Sequence, residues 1–325
     1  MKYSALAKAG LGLALLLVFL TACGQPKETR ADIFNPNGIK VMPVRDSFGQ
    51  MVNVPISPKR IAVTDQLAMD YLNALDANVS LAAKPAGGSY VFPPYTNQEQ
   101  RDSLTLIETS NGSLDPSALA GQKPDLIFTD SSDRTAYDAL SKIAPTVYID
   151  PTLDWRSELY MYSTFLDRDT IARQYMNAYQ KDSNSAKSTI AAANPGTTAA
   201  VMMKGNTLQV YGSSQQGTGA VLYQDLALKA PESIPAGAAS TTITMAQLQQ
   251  MNPDTLFIAT SEKEDTVAAL SKRMESSADS AAWSGLKAVQ NGHVYIVDPG
   301  FFNDTPLAKS YVIQTIADKL SGQTS

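Results

Sequence analysis

Residues 155–193 contain neither proline nor glycine, the longest such run in the chain beyond residue 22. Within it Ile171, Tyr175, Met176, Tyr179, Ala186 and Ile190 recur at helical spacing. That spacing predicts a single helix of about 25 residues from Asp169 onward, with Ser183 and Ser185 diluting its middle. Asn194-Pro195-Gly196 ends it, because proline cannot continue a helix and glycine accepts the backbone reversal that follows. A rod of that length must either lie within one body or separate two, and the flanking sequence decides between them.

On both sides, short apolar runs of strand type alternate with helical patterns, which predicts an α/β fold built on parallel sheets. Before the rod the strand candidates are Arg60–Thr64, Val79–Ala83, Asp125–Thr129 and Pro145–Ile149, with helices at Leu67–Leu75, Ser117–Gly121 and Ala136–Ile143. After it come strands at Ala199–Met203, Leu208–Tyr211, Thr255–Ala259 and Val294–Asp298, with helices at Ala246–Met251 and Ala308–Leu320. The two halves share a junction. Ser117–Gly121 leads through Pro124-Asp125 into Leu126-Ile127-Phe128, and Ala246–Met251 leads through Pro253-Asp254 into Thr255-Leu256-Phe257. In each, a short helix is stopped by proline and an aspartate opens a buried strand. One such junction could arise by chance; two, one on each side of the rod, imply lobes built alike.

The start of the chain reads as an address. Lys2 and Lys8 precede an apolar run, Leu11–Leu20, that is too short to span a bilayer as a helix and fits an export signal. Leu20-Thr21-Ala22-Cys23 closes it, resembling a bacterial lipobox whose cysteine is diacylated and becomes the first mature residue. Cys23 is the single cysteine of 325 residues. The expected organisation is a signal peptide at 1–22, a lipidated polar tether at 23–43, an N-terminal lobe at 44–154, the helical segment at 155–195 and a C-terminal lobe at 196–325. The expected location is extracytoplasmic, held to the membrane by two acyl chains, which anchor stably where one would not.

Composition removes several function classes. Asp and Glu number 31 against 26 Lys and Arg, so a nucleic-acid partner is not expected. One cysteine and one histidine, His293, cannot furnish a zinc site of the usual Cys/His kind, a disulfide or more than one His-dependent catalytic unit. No Gly-x-Ser-x-Gly elbow is present. The sequence holds one Ser-x-x-Lys tetrad, Ser284–Lys287, which keeps an extracytoplasmic serine hydrolase as a remote rival.

In order and spacing, several segments are similar to the substrate-binding lipoproteins of ABC importers for iron–siderophores, haem and cobalamin. They are Asp46-Ser47-Phe48-Gly49, Val54–Val63, Lys123–Ile127, Leu140–Val147 and Trp283–Tyr295. The resemblance runs from about residue 44 to 320. It implies two Rossmann-like lobes with central parallel sheets bridged by one long helix, the class III arrangement of periplasmic binding proteins. It implies a ferric siderophore as guest, an ABC permease as partner, a monomer, and no intrinsic cofactor or catalysis. Haem and cobalamin are the alternatives; residues 130–150 most resemble the catecholate-siderophore branch. The family usually carries a permease-docking glutamate eight residues before each Pro-Asp aspartate. Ser117 and Ala246 stand there instead, with Asp115 or Glu108 as substitutes on the first lobe.

A caged ferric ion brings its own oxygens, so the site needs cations for the anionic groups of the chelate and aromatic rings for its apolar faces. The candidates are Lys84, Tyr90, Phe92 and Tyr95 in a Gly/Pro-rich loop after a strand, and Arg134 after the strand 125–129. Lys204 follows strand 199–203, Tyr211 ends a strand facing either cleft or core, and Phe301 and Phe302 follow Asp298-Pro299-Gly300. Of the last two, one is expected inside and the other at the cleft border. Of Tyr160 and Tyr162, on opposite helix faces, at most one points to the guest. A haem guest would look to His293, Met69, Met202 or Met203 for axial ligands, although buried methionine is more often filler and the resemblance turns His293 away from the cleft.

Overall fold

The computed structural model describes residues 33–84, 91–110, 113–261, 264 and 266–322. The expected signal peptide, the lipidation site Cys23 and the loop residue Tyr90 lie outside the described residues.

Two five-stranded sheets stand on either side of the rod. The first takes the order Thr146–Tyr148, Leu126–Thr129, Ile61–Val63, Leu81–Ala83, Thr105–Ile107, and every neighbouring pair is parallel. The second takes the order Ser240–Ile243, Thr207–Tyr211, Thr198–Lys204, Thr255–Thr260, Val294–Ile296. It is mixed: its last three strands are parallel and the other two pairings antiparallel. The expected parallel core is thus present in both lobes, and the antiparallel extension of the second has a local cause. Gly205 (φ +56°) with Asn206 turns the chain straight back, and so short a link can join only antiparallel neighbours.

The rod runs Asp169–Ala193, 25 residues, and ends at Asn194 in the left-handed region. Its buried positions, Ala172, Tyr179, Ser183, Ala186 and Ile190, form one stripe. Opposite that stripe lies the closing helix Pro306–Ser321. A separate helix, Trp155–Phe165, precedes the rod, capped by Asp154, whose carboxylate accepts from the amides of Arg156 and Ser157. Central strands are wholly buried in both lobes. Each large apolar side chain so placed contributes about 1.5–3 kcal/mol.

The shared junction has a physical basis. Asp125 accepts from the amides of Lys59 and Arg60 at 2.6 and 2.9 Å, where strand Ile61–Val63 begins. Asp254 does the same for Thr197 at 2.9 Å, ahead of strand Thr198–Lys204, and also takes the Thr197 hydroxyl at 2.7 Å. Each carboxylate satisfies amides at the entry of the adjacent parallel strand and so sets register between the two. Ile33–Phe34, Lys40–Arg45 and Met51–Pro55 form an antiparallel sheet, so the described part of the span 23–43 contains strand. Val44, Val52 and Val54 with half-buried Met42 share the sheet's core-facing side through the pairs Val44↔Val52 and Met42↔Val54, and Val41, paired with Pro55, is buried on the other side. Its turn docks on the edge strand of lobe one. Ser47 donates to the Tyr148 carbonyl at 3.0 Å, and Phe48 stacks on Tyr148 at 3.8 Å.

Candidate functional site: the cleft between the lobes

The carboxyl ends of the first sheet lead into Thr64-Asp65-Gln66, Lys84 and Asp130-Ser131. Thr64 joins the first and last of these, its Oγ1 lying 3.0 Å from Thr129 Oγ1 and 3.3 Å from Asp130 Oδ1. Gln66 spans to the neighbouring strand, donating to the Ala83 carbonyl at 2.8 Å. A cavity of about 170 Å³ opens beside them, bordered by Thr64, Thr129, Asp130, Ser131, Leu114 and Ala136.

The second lobe meets the first through Asp298–Thr305. Tyr71 donates to the Asp304 carbonyl at 3.1 Å, and Thr305 to the buried Asp70 carboxylate at 2.6 Å. Tyr95 hydroxyl lies 3.1 Å from Asp70 Oδ2 and accepts from Asn303 Nδ2 at 3.0 Å. Behind this seam Lys309, only 1% exposed, pairs with Asp304 and donates to the Gly217 carbonyl at 3.0 Å. Gly217 in turn donates its amide to Asp304 at 3.0 Å. Burial lowers the Lys309 pKa, opposed by Asp304. Loop 298–305 of lobe two therefore meets Asp70, Tyr71 and Tyr95 of lobe one along a hydrogen-bonded seam, and loop 213–217 is tied to it through Gly217.

The expected binding side chains are not gathered in one place. Lys84 sits at the rim but is paired with Glu108 at 2.7 Å. Arg134 opens helix Arg134–Ser141 and lies over the Phe48 ring at 3.7 Å, against the docked turn. Lys204 is at an exposed hairpin whose Gly205 amide faces Ser261 Oγ, both within lobe two. Phe92 lies under the Arg101 guanidinium at 5.2 Å, and Tyr95 is in the seam. Tyr211 stacks on Phe302 at 4.3 Å. The expectation that one of Phe301 and Phe302 borders the cleft is corrected: both are core, 0% and 8% exposed, against Phe257 and Tyr211. Tyr162 is buried between Tyr71 and Phe128, whereas Tyr160 is exposed.

Two acids of this side, Asp65 after strand Ile61–Val63 and Glu158 on helix Trp155–Phe165, are half-buried. Burial, then repulsion from Asp130, pushes the Asp65 carboxyl up to about 6. Burial raises Glu158 to about 7; a hydrogen bond from Tyr71 opposes this, and the charges of Asp65, Asp304 and Asp130 add to it. These positions escaped the sequence reading, which searched for cations to meet an anionic chelate. The available signal was Asp65 and Asp130 each standing directly after a strand, where ligands of open α/β sheets bind.

The rival chemistry finds no pairing. Ser284 Oγ donates to the Ala281 carbonyl, while Lys287 Nζ lies 3.7 Å from Asp254. His293 is exposed at the amino end of strand Val294–Ile296, opposite the carboxyl ends, and Met69, Met202 and Met203 are core. Among the described residues no three His, Cys, Asp or Glu converge to hold a metal ion.

Residues 61–300 match the sequence model of the periplasmic binding protein family. The chain belongs to the periplasmic binding protein family. The Bacillus subtilis iron(3+)-hydroxamate-binding protein FhuD is 25% identical over 94% of this chain and 95% of its own length. A FhuD-fold periplasmic binding component of a ferrichrome ABC transporter from the same organism superposes with a TM-score of 0.68. It is 26% identical and covers 86% of this chain and 99% of its own. The triscatecholate siderophore binding protein FeuA, solved with ferri-bacillibactin, superposes at 0.67 with 23% identity, over 86% and 98% of the two chains, and shares the fold. This periplasmic binding protein thus has the class III form, two α/β lobes on one helix.

Proposed function

We propose that this protein is the membrane-anchored receptor of an iron-uptake ABC importer, taking up a ferric siderophore between its lobes and presenting it to the permease. The observation that carries this reading is the near end-to-end match to a relative named for iron-hydroxamate binding, in a chain whose two lobes meet at the Tyr71–Asp304 seam. Cys23 supplies the anchor through its lipobox; no helix among the described residues is long and apolar enough to cross a membrane. Lys84, Phe92 and Tyr95 remain the candidate rim contacts, with Tyr90 beside them in the loop. Ser117 and Ala246, both exposed on the first turns of their helices, leave the permease to be met without the usual glutamates.

Tryptophan fluorescence tests the reading, since Trp155 and Trp283 are the only two tryptophans. Trp155 is buried at the lobe junction, in edge contact with Tyr179 and beneath Lys309. Titration with ferric hydroxamate, ferric catecholate, haemin and cobalamin should give saturable quenching by a ferric siderophore. Quenching by haemin or cobalamin alone would overturn it. Cys23→Ala should release the protein from the membrane fraction.

A further inference from the structure

We infer that the tip of the N-terminal hairpin, Ile33, Phe34 and Ile39 around the turn Asn35–Gly38, enters the lipid surface to which the protein is anchored and so orients lobe one over the bilayer. This rests on the anchor in the reading above and goes beyond it, since a tether alone would hold the protein near a membrane in any orientation.

The tip is apolar, exposed and closed on itself. Among the described residues seven large apolar side chains are exposed, and Ile33, Phe34 and Ile39, between 41% and 58% exposed, place three of them within seven positions. From Ile33 to Lys40 only Asn35 is even half-buried, so the tip stands clear of the body. Such clustering marks a surface that meets something apolar. The turn is also prepared to leave water. Asn35 donates its amide to the Ile39 carbonyl at 2.9 Å, and Gly38, at φ +73°, donates to the Asn35 carbonyl at 2.9 Å. The Asn35 side-chain oxygen accepts the amides of Asn37 and Ile39 at 3.0 and 2.9 Å. Pro36 has no amide to satisfy. Every backbone N–H from Asn35 to Ile39 is therefore bonded within the turn or absent, which removes the main cost of bringing a loop into a lipid interface.

What covers the tip follows from where the chain is fastened. Cys23 precedes Ile33 by ten residues, at most about 35 Å of fully extended chain, so the tip is confined close to the bilayer. Residues 24–45 carry four cations and two acids in a chain of 31 acids and 26 bases, so an anionic lipid surface favours this end of an acidic molecule. Beyond the tip, strand Lys40–Arg45 leads into the turn that Ser47 and Phe48 dock on Tyr148. A tip seated in lipid thereby sets the attitude of lobe one.

The experiment uses the acylated protein in vesicles of phosphatidylethanolamine and phosphatidylglycerol. A nitroxide is attached at Asn37→Cys, with Lys272→Cys on lobe two as reference; both positions are exposed, and acylation of Cys23 leaves the introduced thiol as the single target. Collision with oxygen and with a nickel chelate reads the depth of each label. The label at 37 should lie about 5–10 Å below the headgroup surface, as interfacial elements do, while that at 272 stays in water. Phe34→Ser with Ile39→Ser should return the label at 37 to water and leave the urea midpoint and the siderophore titration unchanged. Equal nickel collision at 37 and 272 would overturn the lipid contact and leave the receptor intact. Spin–spin broadening at 37 would overturn it in favour of a second copy of the chain. A Cys23 found without acyl chains would overturn anchor and tip contact together, whereas binding of no ferric siderophore would overturn the receptor reading alone.

Discussion

Gly219→Ala is the substitution whose consequence follows most directly from geometry. A Cβ on Gly219 would lie 1.6 Å from the Gly212 carbonyl oxygen and 2.8 Å from its carbon. The obstacle is backbone, so no side-chain rotation relieves it; one strand of chain must withdraw by more than an ångström. Gly212 cannot withdraw freely either, because a Cβ-sized volume beside it is already filled by the carbonyls of Pro235 and Ala238. Withdrawal breaks the bonds from Gly212 N to Ala239 O (3.1 Å) and Ser213 N to Pro235 O (2.9 Å). Two lost backbone bonds plus overpacking strain come to about 3 kcal/mol. The assay is urea unfolding followed by fluorescence of Trp283, which sits in the core of the same lobe. Gly237→Ala is the control, with open space at its Cβ and no positive φ, and should change stability by less than about 0.5 kcal/mol. A Gly219→Ala protein with the wild-type midpoint and slope would refute the claim that lobe two depends on this crossing. The same crossing holds loop 213–217, so siderophore affinity should fall with it.

Asp125→Ala and Asp254→Ala should each cost about 1–2 kcal/mol in urea unfolding, and the double variant should show the sum, because the two aspartates serve different lobes. Stability should also fall as pH rises from about 4 to 6. Burial raises the Asp70 carboxyl to about 6 from its ordinary 3.8, against hydrogen bonds from Thr305 and Tyr95. Between those two values the folded chain keeps a proton that the unfolded chain has lost, so this contribution is present at low pH and gone above 6. For one such group the swing is about 2–3 kcal/mol, and Asp65 and Glu158 shift in the same direction. Asp70→Asn should flatten the profile of urea midpoint against pH, and an unchanged slope would show that Asp70 is not the titrating group.

The fold was legible wherever local pattern and packing agree. The rod lies in a stretch of 39 residues without proline or glycine and carries one apolar stripe, and both its start at Asp169 and its end are legible. The strands Leu126–Thr129 and Thr255–Thr260 are buried on both faces and read as continuous apolar runs. Strand Ser240–Ile243 went unseen because its Ser-Thr-Thr-Ile carries no buried alternation, only a place beside Thr207–Tyr211. The site was less legible for a physical reason. Lys84, Arg134 and Lys204 were chosen as cations following strands, but a side chain's partner is settled by tertiary neighbours: Glu108 and Phe48 claim the first two. Phe301 looked like a loop aromatic and is core because Pro299–Phe302 folds back onto Phe257 and Tyr311.

The seam beneath the cleft bears on how selectivity can arise. Lobes joined by one helix could still rock, but here the closing helix also packs along the rod, and Asp70, Tyr71, Tyr95, Asn303, Asp304 and Thr305 knit the lobes with buried or half-buried hydrogen bonds. Wide opening would break several of these, each contributing about 0.5–1.5 kcal/mol net of the water that replaces the partner. A receptor held at nearly constant aperture cannot sort guests by how far it shuts around them. It must sort them by the shape and charge the walls already present.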